Sequence, residues 1–252
     1  MTIDTFFEWL RSSQPDGKLT QEMVDGVNAL MTPIDLDKLQ ALLKSLSGAQ
    51  SPVTVSKPAK ITRSDIISSA KFLGVEPATL KAVIDVEARS SGFGDDGRPT
   101  ILFERHKMWK YLGEANYLTK RDQLSVLFPD ICHDDAGSYK TRGQYEKLAV
   151  AAVLHWDAAH KSCSWGLGQV MGFNFASLGY KTLKEFVDAM YESEGKQLDA
   201  MCRYIKVNNL VDELQRHDWA GFAKGYNGKD YAINKYDTKL AAAYVKAKKE
   251  GW

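Results

Sequence analysis

Glu87 stands where an acid is unusual. Leu80, Val83 and Ile84 precede it at the i, i+3, i+4, i+7 spacing of one helix face. The spacing predicts a carboxyl group sharing that face with three aliphatic side chains. Burial favours its protonated form. A place near the helix C-terminus, the negative end of the dipole, acts in the same direction. A carboxylic acid still protonated near neutral pH can give its proton to a leaving oxygen, as cleavage of a glycosidic bond requires. The ordinary reading of the same residue is a surface acid at a frayed helix end, or one paired with Arg89 or Arg105.

Three further segments bear on that choice. Glu87 is followed by Arg89-Ser90-Ser91-Gly92-Phe93 and then GDDGRPTILFERH. SWGLGQVMGFN spans Ser164 to Asn174, and AKGYNG spans Ala223 to Gly228. In this order and at these spacings they resemble the N-acetylmuramidase family of phage endolysins, within the lysozyme-like superfamily. Its members carry a Glu at a helix end, a Gly-rich turn, an ILFERH strand, a WGxxQ turn and a late YN. Lytic transglycosylases share the Glu, a GLxQ turn and an AYN element. The likeness covers about residues 62–250. The chain departs from the pattern at Ala88, where the family carries Ser or another small polar residue. Ser90 and Ser91 are the nearby hydroxyls that stand in reserve.

The resemblance implies hydrolysis of the β-1,4 bond between N-acetylmuramic acid and N-acetylglucosamine in peptidoglycan, with Glu87 as general acid and no cofactor. Glu104 is the implied second catalytic carboxylate, set against an ion pair with Arg98, Arg105 or His106. Asp95 and Asp96 are its rivals on a Gly-flanked loop. A carboxyl separation of roughly 5 Å would mean retention and roughly 6.5–9.5 Å inversion. The implied substrate contacts are Phe103, His106, Trp165, Gln169, Tyr226 and Asn227. Gly166 and Gly168 would let a sugar approach the backbone, Gln169 would bond a hydroxyl or acetamido group, and Trp165 would face a pyranose. The plain alternative is a tight turn over a buried Trp. Tyr226 would bind substrate or the Glu87 carboxyl, with Asn227 in contact or holding its loop. A lytic transglycosylase, and a non-catalytic wall-binding or virion structural protein, are the rival functions.

These residues need elements to hold them. Ser64 can cap a helix carrying Ile66, Ile67, Ala70 and Leu73, with Gly74 ending it. Pro77 suits the first turn of the helix that ends at Glu87. Ile101 to Phe103 reads as a strand, followed by a helix from about Arg105. A single amphipathic helix is expected over about 144–160, with Tyr145, Leu148, Ala149, Ala152, Val153 and Trp156 on one face. Further helices are expected near 182–193, 196–207, 218–224 and 231–249. The last is basic through Lys235, Lys239, Lys246, Lys248 and Lys249. It is either a solvated face or a weak attraction to anionic wall or lipid. Tyr236, Leu240 and Val245 on it are expected in the core.

The whole is expected to be mainly α: a lysozyme-like catalytic domain over 61–252 with a small β element, a linker over 47–60, and a helical module over 1–46. That module would bind peptidoglycan by analogy of position. Of 252 residues, 44% are apolar and 26% charged, with net charge +1. This excludes a disordered chain and leaves no field suited to nucleic acid. Residues 1–55 carry −3 and the remainder +4. Cys132, Cys163 and Cys202 form no disulfide framework, and with His133, His155 and His160 show no HExxH or paired CxxC, so no metal is expected. The N-terminus has no signal-peptide pattern. The expectation is a monomer made in the host bacterial cytoplasm, acting on the wall after holin-type release.

Overall fold

The computed structural model describes residues 58–88, 91–140, 143–228 and 231–252. The module expected over 1–46 and most of the linker lie outside the described residues. The stretch expected as one domain divides into two compact units. The smaller is Phe103–Ser162. The larger joins the described part of Ser56–Leu102 to Cys163–Trp252.

Among the described residues the elements in chain order begin with α1 (Arg63–Leu73), α2 (Pro77–Glu87) and β1 (Ile101–Phe103). In the smaller unit follow α3 (Arg105–Glu114), α4 (Leu118–Leu127), α5 (Gln144–Leu154) and α6 (Trp156–Lys161). The larger unit then continues with β2 (Cys163–Trp165), β3 (Val170–Met171), α7 (Leu183–Glu192), α8 (Glu194–Val207), α9 (Val211–Arg216), α10 (Trp219–Asn227) and α11 (Tyr236–Lys249). The three strands form one sheet in the order β1-β2-β3. β2 and β3 are antiparallel, with Ser164 opposite Met171 and Trp165 opposite Val170.

The helix carrying the acid is well specified. Thr62, rather than Ser64, caps α1: its extended backbone places Oγ1 3.2 Å from the Asp65 N–H, and Asp65 accepts the Thr62 N–H in return at 2.8 Å. Ser64 already lies inside the helix. Gly74, at φ 70°, closes α1 in the left-handed conformation. Pro77 opens α2 at its first position. Leu80, Val83 and Ile84 are buried, each contributing roughly 1.5–3 kcal/mol of apolar burial. Glu87 is the last helical residue and is half-buried. α11 packs along α2 and buries Leu240 and Ala247. Tyr236 on α11 is half-buried and Val245 is 52% exposed, so of the three side chains expected in the core only Leu240 is there.

In the smaller unit the long helix expected over 144–160 is broken at His155. That residue is extended (φ −160°, ψ 99°) and its Nδ1 accepts the Ala158 N–H at 3.2 Å, starting a new helix. The break resets the apolar face: Lys147, Leu148 and Ala151 are buried, while Trp156 is exposed and stacks on His160. α4 and α9 were not expected; neither begins with a side-chain cap.

Candidate active site

Within the larger unit the ends of α2 and α10 meet. Glu87 Oε1 accepts a hydrogen bond from Asn227 Nδ2 at 2.9 Å. Tyr226, one residue earlier, sends its hydroxyl elsewhere: it donates to the Gly168 carbonyl at 3.0 Å. Burial, and secondarily the nearby charge of Glu87, pushes the Tyr226 phenol well above its ordinary 10. It is therefore a neutral donor throughout the neutral range. Its ring stacks on Phe222 and meets Tyr204 edge-on. Of the alternatives the sequence left open, Asn227 is the one in contact with Glu87, and the two side chains diverge because consecutive residues of a helix point about 100° apart. Asn227 reaches the acid and Tyr226 reaches the turn.

The turn is braced from within. Gly166 N–H donates to Thr100 O at 2.8 Å. Gln169, in the left-handed region at φ 48°, donates Nε2–H to Gly166 O at 2.8 Å and to Thr100 O at 3.3 Å. Its Oε1 accepts from Ser164 Oγ at 2.8 Å. Both amide hydrogens are thus engaged by the protein, and Gln169 holds the turn instead of offering donors to a sugar. The glycines are explained by packing against α8. A Cβ on Gly166 would lie 2.4 Å from Gln197 Cδ, and one on Gly168 2.8 Å from Met201 Cβ. Trp165 is 1% exposed, so its ring fills the core and presents no face to a pyranose. Phe103, assigned to substrate, is equally buried.

Glu104 and His106 lie in the smaller unit. Glu104 Oε2 accepts from the Tyr139 hydroxyl at 2.9 Å and stands 3.3 Å from His106 Nδ1. His106, one of its weighed partners, is in contact with it. Arg98 pairs with Asp96, and Arg105 bonds the Pro129, Asp135 and Ala136 carbonyls and Ser138 Oγ. Burial lowers the His106 pKa against the raising effect of Glu104. Asp96 also accepts the Arg98 N–H at 3.0 Å, which makes it a turn residue; Asp95 beside it is exposed. Ser91 does not replace the hydroxyl missing at Ala88, because its Oγ donates to Glu194 Oε1 at 3.0 Å.

Glu194 and Gln197 are the polar residues that sequence reasoning passed over. Both are buried on α8. The signal was there: they share the spacing of Leu198, Met201, Cys202 and Ile205, the same mismatch of polar residue and apolar face that drew attention to Glu87. No metal motif was read in the sequence, yet His133, Asp134 and Asp135 cluster in the smaller unit with ligand atoms within 4.8 Å. They are exposed or partly so, and His133 Nδ1 already accepts the Asp135 N–H at 3.1 Å.

The likeness to known proteins follows the same elements. A family model described as Muramidase, N-acetylmuramidase, matches residues 76–248, from the residue before α2 almost to the end of α11. A search of curated proteins gives no match. Among solved structures, the crystal structure of the Burkholderia AP3 phage endolysin is similar, with a TM-score of 0.71 and 37% identity over 79% of this chain and 75% of that one. The match spans the acid on α2, the Gly turn and the Tyr-Asn end of α10 together, so the chain belongs to the N-acetylmuramidase family and is a lysozyme-type glycoside hydrolase of peptidoglycan.

Proposed function

We propose that Glu87 is the general acid for hydrolysis of the β-1,4 bond between N-acetylmuramic acid and N-acetylglucosamine. The observation that supports it most is the Asn227–Glu87 hydrogen bond at the C-terminal end of an apolar helix face. Glu87 Oε1 accepts the amide hydrogen, and the acid form of the carboxyl carries the proton to be donated. That proton passes to the glycosidic oxygen as the bond to the anomeric carbon breaks and its electron pair moves to that oxygen. Water then adds to the anomeric carbon, and its released proton restores Glu87. Glu104 is the second carboxylate of this proposal and is tested by its own Glu104→Gln variant.

The test is mass spectrometry of products from purified peptidoglycan, wild type beside Glu87→Gln. Hydrolysis leaves products carrying one added water, and Glu87→Gln leaves the polymer intact. Products one water lighter would mean a lytic transglycosylase using the same acid. Undiminished activity of Glu87→Gln would overturn the assignment.

The biological setting we propose is that of an endolysin: a monomer reaching the wall through a holin-type membrane lesion. Weak attraction to anionic wall or lipid is assigned to the lysines of α11, and wall binding to residues 1–46. Truncation after Lys235 is not a clean test of the first, because α11 supports α2. Replacing exposed Lys239 and Lys249 by Gln and measuring sedimentation with anionic vesicles and with sacculi leaves the fold in place. No helix among the described residues is long and apolar enough to cross a membrane.

A further inference from the structure

The first turn of α8 carries two buried polar side chains, Glu194 at 3% and Gln197 at 1% exposure, and the chemistry above uses neither. Glu194 Oε1 accepts from Ser91 Oγ, Gly92 N–H and Lys60 Nζ, each at 3.0 Å. Its Oε2 accepts from Ile61 N–H at 3.0 Å, and its own N–H donates to Ala59 O at 3.1 Å. Gln197 Nε2 donates to Gly92 O at 3.1 Å and Met190 O at 2.8 Å, while its Oε1 accepts Leu167 N–H at 2.8 Å. The fit is close: a Cβ on Gly92 would fall 1.9 Å from Gln197 Oε1.

These contacts approach Glu87 from two directions. Ser91 lies four residues after Glu87 in the chain. Leu167 precedes Gly168, whose carbonyl receives the Tyr226 hydroxyl, and the next residue, Asn227, holds Glu87 Oε1. A buried carboxylate is costly to desolvate, and an apolar residue would pack the helix at least as well. Four donors from two separate stretches of chain are what such a group gains in exchange: a fixed geometry for the segments it joins.

We propose that Glu194 is a positioning residue for Glu87, and that the segment Ala59–Ile61, which leads into the muramidase fold, completes the shell through which it acts. The inference rests on Glu87 being the acid. Glu194 touches no substrate. It holds Ser91 and Gly92, which follow the acid in the chain, and Lys60 and the Ile61 amide hold Glu194.

The experiment compares kcat, KM and the pH dependence of kcat on purified peptidoglycan for the full chain, well below its melting temperature. In Glu194→Gln an NH₂ replaces one acceptor, and Ile61 N–H or Gly92 N–H loses its partner. The expected result is a fall in kcat of about tenfold with KM little changed, and a displaced alkaline limb, which reports the acid. Lys60→Met is expected to give a smaller fall and to add nothing further in the Glu194→Gln background. A Glu194→Gln enzyme that melts earlier yet keeps wild-type kcat and the same limb would overturn the proposal, as would strict additivity with Lys60→Met. If Glu194→Gln does not fold, Lys60→Met and Ser91→Ala decide alone: a limb unmoved in both overturns it. An inactive Glu87→Gln beside a fully active Glu194→Gln removes only the positioning role, whereas an active Glu87→Gln removes the acid itself.

Discussion

At the scale of single residues, the site is a chain of donors ending on one carboxyl. Asn227 holds Oε1 of Glu87, and Tyr226 fixes the turn beside it. Asn227→Ala removes the donor to Oε1 without touching the core. The expected outcome is a kcat about ten to a hundred times lower with a normal melting temperature, measured by steady-state turnover. Tyr226→Phe removes the donor to the Gly168 carbonyl. It should cost about 1–2 kcal/mol of stability, seen in a urea melt. Trp165→Ala distinguishes a core ring from a sugar platform. A buried ring predicts a loss of about 3–5 kcal/mol, with KM unchanged in whatever fraction stays folded. A raised KM at intact stability would restore the binding role.

At the scale of elements, the acid depends on its helix and the helix on its neighbours. α2 is clamped by α11, whose Tyr244 hydroxyl and Lys248 ammonium both reach Glu76, each at 3.1 Å, just before the first turn. Removing the chain after Lys235 should therefore abolish sugar cleavage along with any membrane attraction, as a dye-release assay on sacculi would register. The Gly turn depends on α8 in the same way. Gly168→Ala forces a Cβ to 2.8 Å from Met201 Cβ and should lower both stability and kcat. At this scale the sequence was legible where caps and periodicity coincide. Pro77, Gly74 and the stripe to Glu87 marked α1 and α2 almost to the residue. It was misleading across 144–160, because a periodic pattern does not register a side chain that caps against its own helix. His155 does so, and the second half turns away.

At the scale of the whole molecule, protonation lowers stability on the acid side in two ranges of pH. His160 is buried in the smaller unit and its pKa is lowered below 6.5 by that burial. The unfolded chain then binds the proton more readily, so its contribution is complete above pH 6.5 and is lost as pH falls towards the folded value. His106 acts in the same direction. Glu194 is held below 4.5 because its backbone and side-chain donors outweigh burial. Its contribution is complete above pH 4.5 and is lost as pH falls further. Melting temperature should therefore decline in two steps on acidification, the upper one diminished by His160→Leu and the lower one by Glu194→Gln. The cysteines are all buried. Burial raises the thiols of Cys132 and Cys202 to about 12, so a thiol reagent should label them only on unfolding.

Chemistry that depends on residue type and local spacing could be read from the sequence: the mainly helical class, the acid at a helix end, the turn that follows it and the family these motifs resemble. Local geometry determines such features, since helical periodicity and caps act over a few residues. Partnerships were another matter. That Asn227 rather than Tyr226 meets Glu87, that Gln169 and the turn glycines serve packing, that Trp165 and Phe103 are interior, and that Glu194 joins Ser91 and Gly92 to Lys60 and Ile61 are contacts between residues far apart in sequence. Only the tertiary structure decided them, because the direction a side chain takes and the room it finds are set by the elements packed around it.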